Sequence, residues 1–153
     1  YKLARFDLAA LMEEAVDDAW AAAQDRHVQV RLESRPDVAP CHGDRSMIGR
    51  TIGNVLSNAL KFSPRDGVVH CNLSSDDGFW VISIRDQGPG IAPDLRTRVF
   101  EPFFSNRADG TGLGLSIVRQ IIDNHRGTVA IADNTPTGCI VRLTLPMPPR
   151  PIP

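Results

Sequence analysis

The chain has 153 residues, three cysteines, four histidines and a formal net charge of -1 at pH 7. That length suits one domain with an adequate core, and the near-neutral charge supplies no basic footprint for nucleic acid. No apolar run approaches the ~20 residues of a membrane helix, and Cys41, Cys71 and Cys139 have neither CxxC spacing nor an even count, so they read as small core residues of a reducing compartment.

In chain order, apolar spacing predicts a helix from Asp7 to Gln24, with Leu8, Leu11, Met12, Ala15, Val16 and Ala19 on its inner face. Strands are expected near 28–33 and 38–41. A second helix spans Asp44 to Phe62, with Asp44 or Ser46 as the cap and Ile48, Ile52, Val55, Ala59 and Phe62 on one buried face. Strands near 68–74 and 79–85 follow, joined by the hairpin signal Asp76-Asp77-Gly78. After an irregular stretch come a helix near 114–124 and a hairpin of strands near 128–133 and 139–145. The expected fold is α/β: a two-layer sandwich in which about three helices cover a mixed, mainly antiparallel five-stranded sheet. Five prolines fall between Pro146 and Pro153, where a disordered or extended tail is expected.

Three segments carry chemistry. On the second helix Asn54, Asn58 and Lys61 form a stripe at i, i+4 and i+7. Two amides in line with an ammonium suit an anion, and amide oxygen is a hard ligand fit for Mg²⁺; a solvated polar face is the plainer reading. In Phe79 to Asp86 the alternation puts Asp86 on the same face as Trp80, Ile82 and Ile84. A carboxylate there needs a donor, which an adenine amine supplies and a guanine oxygen does not; a strand-ending Asp in a Gly-Pro-Gly turn is the alternative. Gly88 and Gly90 would let the backbone pass close to a flat base. Third, Gly110-Thr111-Gly112-Leu113-Gly114-Leu115-Ser116 feeds a helix start, where free N–H groups and the positive dipole end attract anions. It is neither a Walker A loop nor a dinucleotide fingerprint, and alone it could be a flexible loop with a helix cap.

Together these segments resemble the catalytic ATP-binding domain of bacterial two-component sensor histidine kinases. Asn54 to Phe62 is similar to the family's N box, Asp86 to Ile91 to its first glycine box, Val99 to Phe104 to its F box, and Gly110 to Leu115 to its second glycine box. All four stand in family order, and the likeness runs from about Phe6 to Pro146. The fold implied is the one shared with gyrase, heat-shock-chaperone and mismatch-repair ATPases, here with a short ATP lid of only five residues, Ser105 to Asp109, between the F box and Gly110.

By position, the resemblance implies ATP and Mg²⁺ as ligands, with Asn58 on the metal and Asn54 and Lys61 on the phosphates. Asp86 would read the adenine amine, with Gly88, Gly90, Ile91, Phe62 and Cys139 around the base. Gly110, Thr111, Gly112 and Gly114 would form the phosphate-side loop, with Leu113 and Leu115 packing one end of the lid and Phe103 and Phe104 anchoring the other. Arg107 has two readings: a phosphate contact where many short-lid members carry lysine, or a solvated loop arginine. Cys139 departs from the pattern, standing where threonine is frequent and replacing a hydroxyl with a weak donor. Asn54 occupies the place where the gyrase and chaperone branch has a water-activating glutamate, and an amide is no general base.

None of His27, His42, His70 and His125 sits in the family's acceptor pattern, and each reads as a surface or boundary residue. The phosphoaccepting histidine is therefore expected on a separate helical dimerisation domain, without which the fragment would not autophosphorylate. Residues 1–6 are expected to end the linker from that domain, 7–146 to be the catalytic domain and 147–153 the tail. The implied partners are that domain, as a homodimer in the parent protein, and the receiver domain of a response regulator. Nucleic acid is not implied, and membrane anchoring would reside in other parts of the parent, leaving this a cytoplasmic domain. The alternatives are an anti-sigma-type serine kinase and an ATP-binding sensing or scaffold module that transfers nothing.

Overall fold

The computed structural model describes residues 1–96, 98–100 and 114–149. Ten main elements follow in order: β1 (Ala4–Asp7), α1 (Leu8–Arg26), β2 (Gln29–Ser34), β3 (Pro40–Gly43), α2 (Arg45–Phe62), β4 (Val68–Asp76), β5 (Phe79–Arg85), α3 (Gly114–Asn124), β6 (Thr128–Asp133) and β7 (Cys139–Pro146). Short 3-10 turns cover Pro93–Leu95 and Arg98–Phe100. The sheet runs β2-β4-β5-β7-β6, with β2 and β4 parallel and the other pairs antiparallel. Helix α2 packs between α1 and α3 on one face of it. This is the expected mixed five-stranded α/β sandwich.

Two expectations need correction. The strand anticipated near 38–41 is displaced to Pro40–Gly43 and lies outside the main sheet, pairing antiparallel with β1 in a two-stranded sheet of its own. Asp7, read as the first residue of the helix, instead ends that partner strand, Ala4–Asp7. Asp7 is not helical: it has extended dihedrals and caps α1, its Oδ1 accepting the N–H groups of Ala9 and Ala39.

The core lies between the helices and the inner face of the sheet. Val69, Cys71 and Leu73 of β4, Trp80, Ile82 and Ile84 of β5, and Val141, Leu143 and Leu145 of β7 alternate into it. Leu8, Leu11 and Met12 of α1, Ile48, Ile52, Val55 and Leu56 of α2 and Val118 and Ile122 of α3 close it from above. Each such side chain contributes about 1.5–3 kcal/mol by leaving water. The other sheet face is polar and half-exposed, with His70 and Arg85 gathered around Glu33.

The β4–β5 hairpin turns on Asp77 (φ 48) and Gly78 (φ 84), the left-handed pair that a two-residue turn needs. Asp44, not Ser46, caps α2, accepting the Met47 N–H at 3.1 Å. His125 is buried, not superficial. Its Nε2 accepts the Asp44 backbone N–H (3.0 Å), so Nδ1 carries the proton and donates to the Ile121 carbonyl (2.7 Å). The ring thus ties the end of α3 to the start of α2, and Tyr1 stacks on it with centroids 5.5 Å apart.

Candidate functional site

The site is assembled where the C-terminal end of α2 meets the end of β5. On α2 the stripe stands apart from the buried face: Asn54 and Asn58 are half-buried and Lys61 is exposed. The helix ends at Phe62, with the Ser63 N–H and hydroxyl both donating to the Ala59 carbonyl. Gly88 lies against this end, since a Cβ there would come within 2.5 Å of the Phe62 carbonyl oxygen. Only a residue without a side chain lets the turn and the helix approach so closely.

Alternation carries Asp86 onto the inner face of the sheet, where it is 6% exposed. Its Oδ1 accepts two backbone N–H groups, from Gly88 (2.9 Å) and Cys139 (3.2 Å). Among the described residues no donor reaches Oδ2. Burial pushes the carboxyl above the ordinary aspartate range, and the Gly88 and Cys139 N–H groups oppose that shift. The outcome is a desolvated carboxylate with one oxygen fixed by the backbone and, among the described residues, no donor on the other.

The backbone around Asp86 is held from three sides. Its N–H donates to the Cys139 carbonyl (2.9 Å), the Gln87 side chain accepts the Val68 N–H (2.9 Å), and Asn134 Nδ2 donates to the Asp86 carbonyl (2.8 Å). Gly138, at φ +114, presses on that same carbonyl, and Gly90, at φ +79, lies against the Gly138 carbonyl. Ile91 is half-buried against the core. Cys139 meets Asp86 through its backbone, while its thiol is buried and pushed up to about 12 by that burial, reinforced by the neighbouring Asp86.

Gly114 opens α3 and Leu115 is half-buried there. Phe104, Arg107, Gly110, Thr111, Gly112 and Leu113 lie outside the described residues, as does Phe103. Phe100 of the F box is described, with the Arg119 guanidinium over its ring at 5.4 Å. Sequence reasoning missed Asn134 and saw in Gly138 only the residue before Cys139; the run Asn-Thr-Pro-Thr-Gly between two strands marks a turn but not one that closes on Asp86. Among the described residues no three His, Cys, Asp or Glu side chains cluster to cage a metal.

A buried carboxylate at a sheet end thus stands beside a helix bearing two half-buried amides and an exposed lysine. Residues 43–149 match the family described as histidine kinase-, DNA gyrase B-, and HSP90-like ATPase, and the chain belongs to this family as an ATP-binding domain of the sensor histidine kinase kind. It is 34% identical over 150 residues to the sensor histidine kinase TmoS of Ectopseudomonas mendocina, covering 94% of this chain and 15% of TmoS. It is similar to the solved structure of the mycobacterial sensor histidine kinase MprB (33% identity, TM-score 0.84, 97% of this chain and 100% of that one). A full-length ShkA structure in complex with AMPPNP is also similar (28% identity, TM-score 0.85, 95% of this chain and 31% of that one). The chain spans between 10% and 35% of the length of the first curated relatives. Among the described residues no helix is long and apolar enough to cross a membrane.

Proposed function

We propose that this chain binds ATP with Mg²⁺ and donates the γ-phosphoryl group to a histidine on a separate helical dimerisation domain, for relay to an aspartate of a response regulator. The observation that carries the reading is Asp86: buried, with Oδ1 taken by two backbone N–H groups and no donor from the described residues on Oδ2. An adenine amine is a donor that fits it, and the 6-oxygen of guanine is repelled by it. Burial strengthens the discrimination, because water does not compete well for the carboxylate there.

Asn54, Asn58 and Lys61 line the phosphate side. An amide oxygen from Asn58, completed by phosphate oxygens and water, is the sparse protein contribution that Mg²⁺ accepts. When bound, the ion would supply neutralisation of phosphate charge. Lys61, exposed on the last turn of α2, adds positive charge on the same stripe. Phosphoryl transfer needs mainly such positioning and electrostatics. Asn54 holds a phosphate without activating water, so ATP is spared until the protein acceptor arrives. Arg107 and the loop Gly110 to Leu115 complete the phosphate side of this proposal.

The test incubates the chain with γ-labelled ATP, Mg²⁺ and the parent's upstream helical domain in trans, following acid-labile protein label and free phosphate together. Label on a histidine, lost in Asn58→Ala, is expected. Free phosphate without label would instead place the chain with the ATPases, and ATP binding with neither product would favour a sensing module.

A further inference from the structure

The base-reading carboxylate depends on a side chain two strands away, and we infer that Asn134, in the β6–β7 turn, is the positioning residue that sets Asp86 for the adenine amine. This rests on the reading of Asp86 as the acceptor of that amine. The chain of contacts is short. Asn134 Nδ2 donates to the Asp86 carbonyl at 2.8 Å, and among the described residues it is the side chain that does so. That carbonyl belongs to the Asp86–Gln87 peptide. Rotation of the peptide plane moves the following backbone, and with it the Gly88 N–H that grips Asp86 Oδ1 at 2.9 Å. Holding the carbonyl therefore holds the carboxylate, and with it the direction of Oδ2.

Asn134 is itself prepared for this task. Its backbone N–H donates to the Gly138 carbonyl (3.1 Å), closing the turn, and its Oδ1 accepts the Thr135 N–H (3.0 Å). The second bond decides which end of the amide faces Asp86: with Oδ1 engaged, Nδ2 must point to the carbonyl. The turn adds one further grip, the Thr137 hydroxyl donating to the Gln87 carbonyl at 3.3 Å. Gly138 seats the turn directly on the Asp86 carbonyl, where a Cβ would collide. The turn therefore acts as a clamp on the loop from Asp86 to Gly90.

The experiment measures dissociation constants of this chain for ATP and for purine riboside triphosphate, which lacks the 6-amine. Wild type, Asn134→Ala, Asn134→Asp and Asp86→Asn are compared, each checked for folding by thermal melting. Asn134→Ala is expected to weaken ATP by roughly fivefold, the scale of one neutral hydrogen bond, and the analogue by less than about twofold. Asn134→Asp retains the acceptor for Thr135 but turns an oxygen toward the Asp86 carbonyl, so it should lose at least as much amine preference as alanine. Equal losses for both nucleotides, or an Asn134→Asp protein with wild-type preference, would mean that Asn134 only builds the turn and would overturn the inference. If Asp86→Asn also keeps the amine preference, the Asp86 reading falls and the role of Asn134 with it. If Asp86→Asn abolishes the preference while Asn134→Ala does not, only the role of Asn134 falls.

Discussion

Replacing Asp86 by asparagine separates what the carboxylate does for the fold from what it does for a ligand. The Gly88 and Cys139 N–H groups both point at Oδ1, so the amide of Asp86→Asn must place its oxygen there and its nitrogen at the position of Oδ2. A donor then faces the adenine amine. The lost charge-assisted hydrogen bond corresponds to about 1.5–3 kcal/mol, or about 10- to 150-fold in ATP affinity, while a nucleotide presenting an oxygen gains a partner. The unliganded fold should respond the other way. Burial raises the Asp86 pKa, so in the window between its unfolded and folded values the native state holds more protons than the unfolded one. Stability therefore falls as pH rises through that window, and at neutral pH the wild type carries the cost of a buried charge. Asp86→Asn should remove this slope and raise the apo melting temperature at neutral pH. Calorimetric titration with ATP and GTP, with melts across the acid range, checks both halves. An unchanged ATP affinity and an unchanged ATP-over-GTP ratio would refute the reasoning, whatever the melts show.

Other expectations follow from single contacts. Asn58→Ala, at a half-buried position off the core face of α2, should leave the melting temperature near wild type but abolish the Mg²⁺ dependence of ATP binding, read by titration with and without the ion. His125→Ala leaves the Asp44 N–H without its partner and takes from the Ile121 carbonyl the ring donor, though not the residue's own backbone N–H, and should cost about 2 kcal/mol in urea unfolding; a loss near zero would show that water replaces the ring. Asp44 accepts the Lys2 and Met47 N–H groups, which hold its carboxyl below the ordinary value of 3.8. Its contribution is present above that value and is lost as pH falls through the lower folded one. Acid unfolding of Asp44→Ala should therefore lack this part of the wild-type slope.

The three helices, the hairpins and the inward face of β5 are all legible as periodicity, because each element buries one face and the spacing of apolar residues records which. The α2 stripe and the Asp86 face could be read for the same reason: Asn54, Asn58 and Lys61 share a helical face, and Asp86 extends an alternation already set by Trp80, Ile82 and Ile84. Asp44 and Ser46 were equal as caps in sequence; Met47 N–H lying within reach of Asp44 decides between them.

Only the tertiary structure decided the rest, and in each case the partner is distant in the chain. Ala4–Asp7 has no periodicity long enough to announce a strand, and becomes one because Pro40–Gly43 lies beside it. That pairing also removes Pro40–Gly43 from the main sheet. His125 looks like a helix end in sequence, but the N-cap of α2 supplies the N–H that its ring accepts, 81 residues away along the chain. Asn134 is an unremarkable turn residue until the β6–β7 hairpin closes on the end of β5, bringing its amide to a carbonyl 48 residues earlier. Local pattern thus determines which residues face the core and which carry polar chemistry, because that depends on the residue's own element. The Gly88 N–H that holds Asp86 Oδ1 is a local turn contact, but the Cys139 N–H on the same oxygen and the Asn134 amide on the carbonyl come from a separate hairpin, and no local pattern encodes them.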